Sequence, residues 1–388
     1  YLLGKLKLNS NSKFTYTEFQ KGIQNLTATQ NFSPINYNFH GENLNIELKE
    51  NPINTYLKFG LHYDGLFKSA FLVNLTEKKV LSKNDVAFVD VALGDNFRYN
   101  LEYYIDNGFH WSFGIKSKYS GFSKNVPIGF LSSFANSQLG INTLNIEYLD
   151  FTNQAYVQTV SFQKFLLGIG VENKNLKISS ETISNSNSVL ENNNYWSVFE
   201  SLKYDSFDNK YFPKKGWSFS TNINTYISSS NFENQFEPFS IAKSEFSIVK
   251  TFFNKATIQF QADAGLKFGK GSEPLLDFAL GGFGFNPINN IRSFYGYDFL
   301  SVAANSYIKV GGTIDYQFYK NNHLNFSANF ANLDHNLFKS VNWVAFPKYS
   351  GYALGYGLDT AIGPVEVKYS WSPENTKGYT WFGVGFWF

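Results

Sequence analysis

Several residue types are absent or scarce in this chain of 388 residues. It has no cysteine and no methionine, and only two of its 33 basic residues are arginine. The lack of cysteine excludes disulfides and thiolate metal sites. No stretch approaches the roughly 20 consecutive apolar residues that a membrane-spanning helix requires. The net charge of +2 gives no argument for a nucleic-acid partner.

Aromatic residues, in contrast, make up 19% of the chain, although the mean hydropathy is only −0.26. This combination is typical of a transmembrane β-barrel, whose strands alternate between lipid-facing and lumen-facing side chains. A large soluble β-protein is the alternative, but no repeat of fixed period supports a β-helix or a propeller. The chain begins at Tyr1 without a signal peptide, so we expect a processed chain or a fragment.

Alternation of apolar and polar residues identifies the strands. In residues 97–106, for example, Phe97, Leu101 and Ile105 share one face and Arg98 and Asp106 the other. Such segments predict an all-β fold with about sixteen antiparallel strands, the even number that a closed bacterial barrel requires. The predicted strands are 55–64, 66–75, 84–93, 97–106, 109–119, 145–162, 164–178, 195–206, 217–228, 239–252, 256–268, 307–319, 323–333, 352–361, 363–373 and 379–388.

The N-terminal part reads differently. Thr15 and Glu18 form a capping box, which predicts a helix over about 16–29. Two short alternating strands follow, at 35–39 and 43–50. We therefore expect a small α+β module at 1–53 and a barrel at 54–388.

Two motifs are more specific than a generic barrel. The turn after the eighth predicted strand contains Tyr204, Asp205, Asp208, Phe212, Pro213, Gly216 and Trp217. It resembles the YDxRDxxxFPxxGW turn of the BamA-like outer-membrane superfamily, also called the bacterial surface antigen family, with Phe207 in place of the arginine. Gly281-Gly282 and Ile291-Arg292-Ser293-Phe294 resemble the GG…VRGF pattern of that family's long sixth external loop.

The chain end resembles the aromatic insertion signal of outer-membrane barrels through Gly383, Phe386 and Phe388. The resemblance implies a location in the bacterial outer membrane, contact with outer-membrane lipid and recognition by the barrel assembly machinery. It also implies that residues 1–53 are a partial POTRA module. A homodimer or accessory periplasmic proteins are further partners that it suggests.

The same resemblance implies a lock between the long loop and the barrel wall. In the family the loop arginine bonds to an acidic group of the inner wall, and Arg292 occupies that position. The usual aspartate aligns with Asn329, so we expect Asp315 to be the substitute partner. The second arginine, Arg98, is expected to form a lumen salt bridge with Glu102.

Three stretches, 62–65, 94–99 and 349–355, look closest to patatin-like phospholipases, which join a serine lipid hydrolase to a POTRA module and a barrel. The Gly-x-Ser-x-Gly elbow of such a hydrolase does not occur in these 388 residues. If the resemblance extends that far, the enzyme precedes Tyr1. The spacing of the five histidines suggests no metal site, and no cofactor is expected.

Three functions follow as expectations. The first is the POTRA and barrel part of a patatin-like phospholipase, which anchors or translocates an upstream hydrolase. The alternative is a BamA-like factor for outer-membrane protein assembly or secretion, without enzymatic activity. The third is a plain porin, against which the infolded-loop motif counts.

Overall fold

The structure, a computed structural model, describes residues 2–6, 13–41, 43–108, 110–127, 142–161, 165–182, 189–230, 236–270, 273–335 and 337–386. Within these ranges no helix is both long and apolar enough to cross a membrane.

The residues in these ranges form two helices, 21 strands and several short 3-10 turns. The helices are α1 (Leu2–Leu6) and α2 (Tyr16–Ala28), and the 3-10 turns are Pro274–Leu276, Leu337–Lys339 and Val341–Val344. The strands are β1 (Phe32–His40), β2 (Asn43–Glu50), β3 (Thr55–Asp64), β4 (Lys68–Lys78), β5 (Asp85–Gly94), β6 (Arg98–Ile105), β7 (Ser112–Pro127), β8 (Thr143–Ser161), β9 (Phe165–Ser179), β10 (Val189–Asp205), β11 (Lys215–Ser229), β12 (Phe239–Phe252), β13 (Ala256–Gly269), β14 (Phe278–Leu280), β15 (Ile291–Arg292), β16 (Val302–Ala304), β17 (Ser306–Tyr319), β18 (Asn322–Asp334), β19 (Tyr349–Thr360), β20 (Gly363–Trp371) and β21 (Tyr379–Gly385).

Sixteen of these strands close into one antiparallel barrel, in which each strand pairs with its neighbours in the order β3 to β13 and then β17 to β21. The prediction of an all-β barrel with sixteen strands is confirmed. Short turns such as 253–255 and 361–362 lie at one end of the barrel, here called the short-loop end. Long connections, above all 270–305, lie at the opposite, long-loop end.

The outer wall carries apolar rows, and the inner wall carries polar ones, as alternation requires. On β17, for example, Val310 and Ile314 are exposed on the outside, while Lys309 and Asp315 point into the lumen. Aromatic rings gather on the outside near the short-loop end, where Tyr204 and Trp217 lie 4.0 Å apart between ring centroids. Such a girdle marks a membrane interface.

The N-terminal part forms a small separate layer. Helix α2 begins at the expected capping box, in which Glu18 N–H donates to Thr15 Oγ1 (3.3 Å) and Thr15 N–H to Glu18 Oε2 (2.8 Å). Strands β1 and β2 form an antiparallel hairpin. Phe19 and Leu26 of α2 are fully buried against the apolar face of this hairpin. The helix and both strands therefore agree with the sequence pattern.

The largest hydrophobic cluster does not fill the barrel evenly. It combines inner-wall aromatic residues near the long-loop end with apolar residues of the segment 270–305, and Phe278, Phe294 and Phe299 are among its most buried members. Residues 273–305 thus fold into the barrel rather than extending away from it.

Candidate functional site

The segment 270–305 carries its own small sheet inside the barrel. Strand β14 pairs in parallel with β15 and antiparallel with β16. Gly281 and Gly282 follow β14 with φ of 142° and 72°, and a Cβ at Gly282 would collide with the Phe299 ring. The glycine pair is therefore required for the close packing of this infolded loop.

Arg292 lies at the centre of the infolded loop and is 5% exposed. Its Nη1 donates to the carbonyl oxygens of Asn289 and Ile291, each at 3.1 Å, within the loop. Its Nη2 lies 3.4 Å from Glu245 Oε1 on the inner face of β12. Arg292 thus orders the loop and joins it to the barrel wall.

The expected partners of Arg292 have other contacts. Asp315 Oδ2 lies 2.6 Å from His323 Nδ1 of the next strand, so the predicted pairing of Asp315 with Arg292 is replaced by Glu245. Asn329 does meet the loop, but elsewhere: its side chain can accept from Tyr295 N–H (3.1 Å) and donate to the Gly351 carbonyl (3.2 Å). The register of the loop on the wall places Arg292 opposite β12 rather than β17.

Arg98 also differs from expectation. Its guanidinium lies over the Phe67 ring, 3.9 Å from the centroid, while Glu102 pairs with Lys116 at 3.5 Å. A planar guanidinium stacks on an aromatic face in a way that lysine cannot reproduce. This contact gives a physical reason why position 98 holds arginine, although nearly all other basic residues of the chain are lysine.

Asn289 anchors the loop at a point that the sequence did not reveal. Its amide contacts the Tyr148 hydroxyl and the Asp150 carboxylate on β8 and accepts from Lys174 Nζ of β9 at 2.9 Å. Asp150 and Lys174 themselves form an ion pair at 3.2 Å. Asparagine in an external loop gives no distinctive signal, so only the fold identifies this anchor.

A second anchor to the wall comes from β17. Lys309 Nζ donates to the Ser293 carbonyl of the loop at 3.2 Å and pairs with Asp263 of β13 at 2.8 Å. The infolded loop is therefore attached to β8, β9, β12 and β17 of the barrel wall.

The motif turn at the short-loop end, residues 206–214, is internally fixed. Asp205 accepts from Phe207 N–H (2.9 Å), and Asp208 accepts from the N–H groups of Lys214 (2.9 Å) and Lys215 (3.2 Å). Burial raises the pKa of Asp208, but these backbone donors outweigh it and hold the pKa below its ordinary value. Gly216 closes the turn with φ of 113°, a conformation that favours glycine.

Phe212 of this motif turn enters the lumen. Its ring stacks on that of His323, with centroids 4.3 Å apart and planes at 15°. A Cβ at Gly357 would lie 2.9 Å from the Phe212 ring, so glycine at 357 leaves room for it. Lys214 Nζ donates to Gln317 Oε1 at 2.9 Å. The turn from β10–β11 therefore crosses the barrel mouth to β17, β18 and β19.

Between the motif turn and the infolded loop lies a cavity of about 500 Å³. Phe212 and Pro213 line it from the short-loop end, and Arg292 and Tyr295 line it from the other end. Its walls carry both signs of charge, from Glu245, Asp263, Lys309, Asp315, Glu366 and Lys368. The lumen thus holds a charged chamber that the infolded loop restricts at one end and the motif turn at the other.

The barrel closes between β21 and β3 through a short seam. Among the described residues only Val384 with Tyr63 and Gly385 with His62 are paired across it. Gly385 has φ of 92°, which bends the strand, and Phe386 N–H donates to the Leu61 carbonyl at 3.2 Å. Of the expected insertion signal, Gly383 faces the lumen side and Phe386 lies at the seam, whereas Phe388 lies outside the described residues.

A closed sixteen-stranded barrel, an apolar outer wall and a loop folded into a charged lumen define an outer-membrane β-barrel of the bacterial type. The family model described as the OMP85 superfamily matches residues 42–388. The chain belongs to the OMP85 superfamily, and its location is the bacterial outer membrane. No curated protein matches it.

Solved structures with this fold include BamA from Haemophilus ducreyi lacking POTRA domains 1–3. That structure is 12% identical, with a TM-score of 0.70, over 99% of this chain and 81% of the other. CdiB from Acinetobacter baumannii is 11% identical, with a TM-score of 0.60 and coverage of 98% and 69%. CdiB from Escherichia coli is 10% identical, with a TM-score of 0.61 and coverage of 99% and 74%. At these identities the likeness concerns the fold.

Proposed function

We propose that this chain is the membrane part of an outer-membrane protein assembly or secretion factor. The superfamily and the fold shared with BamA and CdiB support this function. The observation that carries it is a lumen restricted by the infolded loop and the motif turn, beside a seam at which few of the described residues are paired. Such a barrel is poorly suited to act as an open diffusion pore.

The seam offers a physical route for polypeptide. The edge of β21 from Tyr379 to Val384 is paired to β20, but only its last residues are paired to β3 among the described residues. A strand edge with unsatisfied N–H and C=O groups is a template for another strand. A client strand added at this edge would satisfy those groups inside the membrane, where unpaired backbone groups are costly.

The N-terminal layer fits a periplasmic role. Lys78 Nζ, at the end of β4, donates to the Thr29 carbonyl at 2.6 Å, and Lys79 of the β4–β5 turn pairs with Glu50 at 2.6 Å. Lys5 pairs with Asp106 of the β6–β7 turn at 2.8 Å. We propose that residues 1–53 are part of a POTRA module, docked on the short-loop mouth, and that residues 54–388 are the barrel domain. Further modules upstream would fit an assembly or secretion factor.

The phospholipase interpretation has less support. It depends on three short stretches, whereas BamA and CdiB are among the solved structures that share this fold. It stays a second candidate, in which the barrel anchors a hydrolase located before Tyr1. Release of fatty acid from labelled phospholipid by the native outer-membrane protein would separate the two candidates.

A disulfide across the seam tests the proposed function. Tyr63→Cys with Val384→Cys places two cysteines on directly paired residues, in a chain that has no other cysteine. If the seam opens during client assembly or secretion, oxidation of this cysteine pair in the native host should lower the outer-membrane content of client barrels or the amount of a secreted client. Addition of reductant should restore that amount. The control pair Leu57→Cys with Leu75→Cys joins β3 to β4 and should have no effect. Full activity of the oxidised seam pair would refute the seam route.

A further inference from the structure

The loop between β18 and β19 packs on the outside of the barrel rim. Ser306 continues the outward row of Val310 on β17, and Asn332 continues the outward row of Phe330 on β18. Both Ser306 and Asn332 are nevertheless buried. The 3-10 turn Leu337–Lys339 of the loop contacts both strands. The loop therefore covers the outer face of these two strands where they end.

Asn332 fixes the loop to this outer face. Its Nδ2 donates to the carbonyl oxygens of Asn342 at 3.3 Å and Ala345 at 3.0 Å. Its Oδ1 accepts from the backbone N–H of Lys348 at 2.8 Å. One side chain of the outward row thus holds both ends of the segment 342–348 against the wall.

The anchored segment presents three large apolar side chains to its surroundings. Trp343, Val344 and Phe346, here called the apolar edge, are 45%, 60% and 97% exposed. Lys339 and Lys348 lie on either side of them along the chain and are exposed as well. Neighbouring exposed apolar residues on an ordered turn mark an interaction surface.

The loop lies beside an aromatic girdle of the outer wall. The Tyr352 ring of β19 lies 6.0 Å from the rings of Phe330 on β18 and Trp371 on β20, between centroids. Such a girdle marks the membrane interface, here at the long-loop end. Asn332 is two residues beyond Phe330, about 7 Å along the strand. Because a headgroup layer is about 5–7 Å deep, the anchored segment lies at headgroup level.

We propose that the apolar edge inserts into the outer leaflet of the membrane, so that the β18–β19 loop is a lipid-contact surface in addition to the barrel wall. The rings of Trp343 and Phe346 enter between the headgroups and reach the first methylene groups of the acyl chains. Lys339 and Lys348 supply positive charge for anionic headgroups. The surface is continuous with the lipid-facing row of β18, which favours lipid over a protein partner.

Fluorescence quenching by lipid tests this insertion, since the chain has no cysteine of its own. Ala345→Cys keeps the apolar edge intact and carries the thiol-reactive fluorophore NBD in vesicles of phosphatidylethanolamine and phosphatidylglycerol. Phosphatidylcholine with a spin label near the headgroup should quench most of the emission, and a label near the end of the acyl chain should quench much less. Thr376→Cys, in the exposed β20–β21 loop at the same end of the barrel, is the matched control and should be quenched by neither lipid. Equal quenching at positions 345 and 376 would overturn the proposal.

The role of the apolar edge is tested in the Ala345→Cys background. Trp343→Ser with Phe346→Ser should abolish quenching by the headgroup-proximal label, because the side chains that enter the lipid are gone. Asn332→Ala should reduce quenching, because it frees the segment 342–348 from the wall. Heat-modifiable migration of each variant verifies that the barrel is folded.

Quenching that is undiminished in the double serine variant, or absent in folded Ala345→Cys protein, would refute the proposal. A cross-link from position 345 to another protein in native outer membranes, without quenching in vesicles, would assign the surface to a protein partner instead of lipid.

Discussion

Replacement of Arg292 by alanine should release the infolded loop 270–305. The arginine donates from Nη1 to two loop carbonyls at 3.1 Å and reaches Glu245 at 3.4 Å. Hydrogen bonds from a charged group contribute roughly 1.5–3 kcal/mol. Because one nitrogen serves both carbonyls, we count them together as about 2 kcal/mol. The pair with Glu245, whose side chain is 48% exposed, adds less than about 1 kcal/mol.

The total is about 2–3 kcal/mol, which corresponds to a roughly 30- to 150-fold larger population of the released loop. Limited proteolysis measures this population when opening is fast relative to cleavage. The initial rate of cleavage within 270–305 should therefore rise by that factor in Arg292→Ala, while the barrel stays intact.

Asp315→Asn is the control that separates this account from the expectation based on sequence. Because Asp315 lies 2.6 Å from His323, its substitution should leave cleavage of the loop nearly unchanged. Equal cleavage rates in Arg292→Ala and in the unsubstituted protein would refute the role of Arg292. A rate in Asp315→Asn as high as that in Arg292→Ala would refute the assignment of Glu245 as its wall partner.

Two further predictions concern the ends of the lumen. Phe212→Ala should raise the frequency of conducting events in planar bilayers, because it removes a ring that stacks on His323. The control Phe253→Ala, at the 96% exposed tip of another turn, should leave that frequency unchanged. An unchanged frequency in Phe212→Ala would contradict the obstruction by the motif turn. Glu374, in the β20–β21 loop, accepts from the Ser350 hydroxyl at 2.7 Å. Burial raises its pKa, but hydrogen bonds from Ser372 and Ser350 outweigh this and lower the pKa below the ordinary 4.5. The contribution of Glu374 to stability is thus present above about pH 4.5 and is lost as the pH falls through the lower folded pKa. The difference in Tm between the unsubstituted protein and Glu374→Gln should therefore shrink between pH 5 and 3. A constant difference in Tm would contradict this prediction.

Much of the barrel could be predicted from alternation alone. Strand β12 matches the predicted bounds of 239–252, and each of the other fifteen barrel strands overlaps a predicted one. The main differences lie at the long-loop end, where β7 continues to Pro127 and β10 begins at Val189. There segments such as 191–194, Glu-Asn-Asn-Asn, lack the apolar alternation that identifies a strand.

The lumen contacts could be predicted only in part. The sequence singled out Arg292 because arginine is rare in the chain, but its partner depends on how the loop lies across a barrel of a given width and stagger. Glu245 is 47 positions away and carries no local signal of the contact. For the same reason Asn289 was missed, and the motif turn around Phe212 gave no sign that it reaches into the lumen.

The two obstructions lie in series along the lumen, and this has a consequence for the cell. A minor open state of a protein element is commonly populated at about 0.1–10%. If each obstruction opened independently about 1% of the time, both would be open together for about one part in ten thousand. Fluctuation at either mouth alone would then leave the permeability barrier of the outer membrane intact. Conducting events in the double variant Arg292→Ala with Phe212→Ala should accordingly multiply the separate effects rather than add to them.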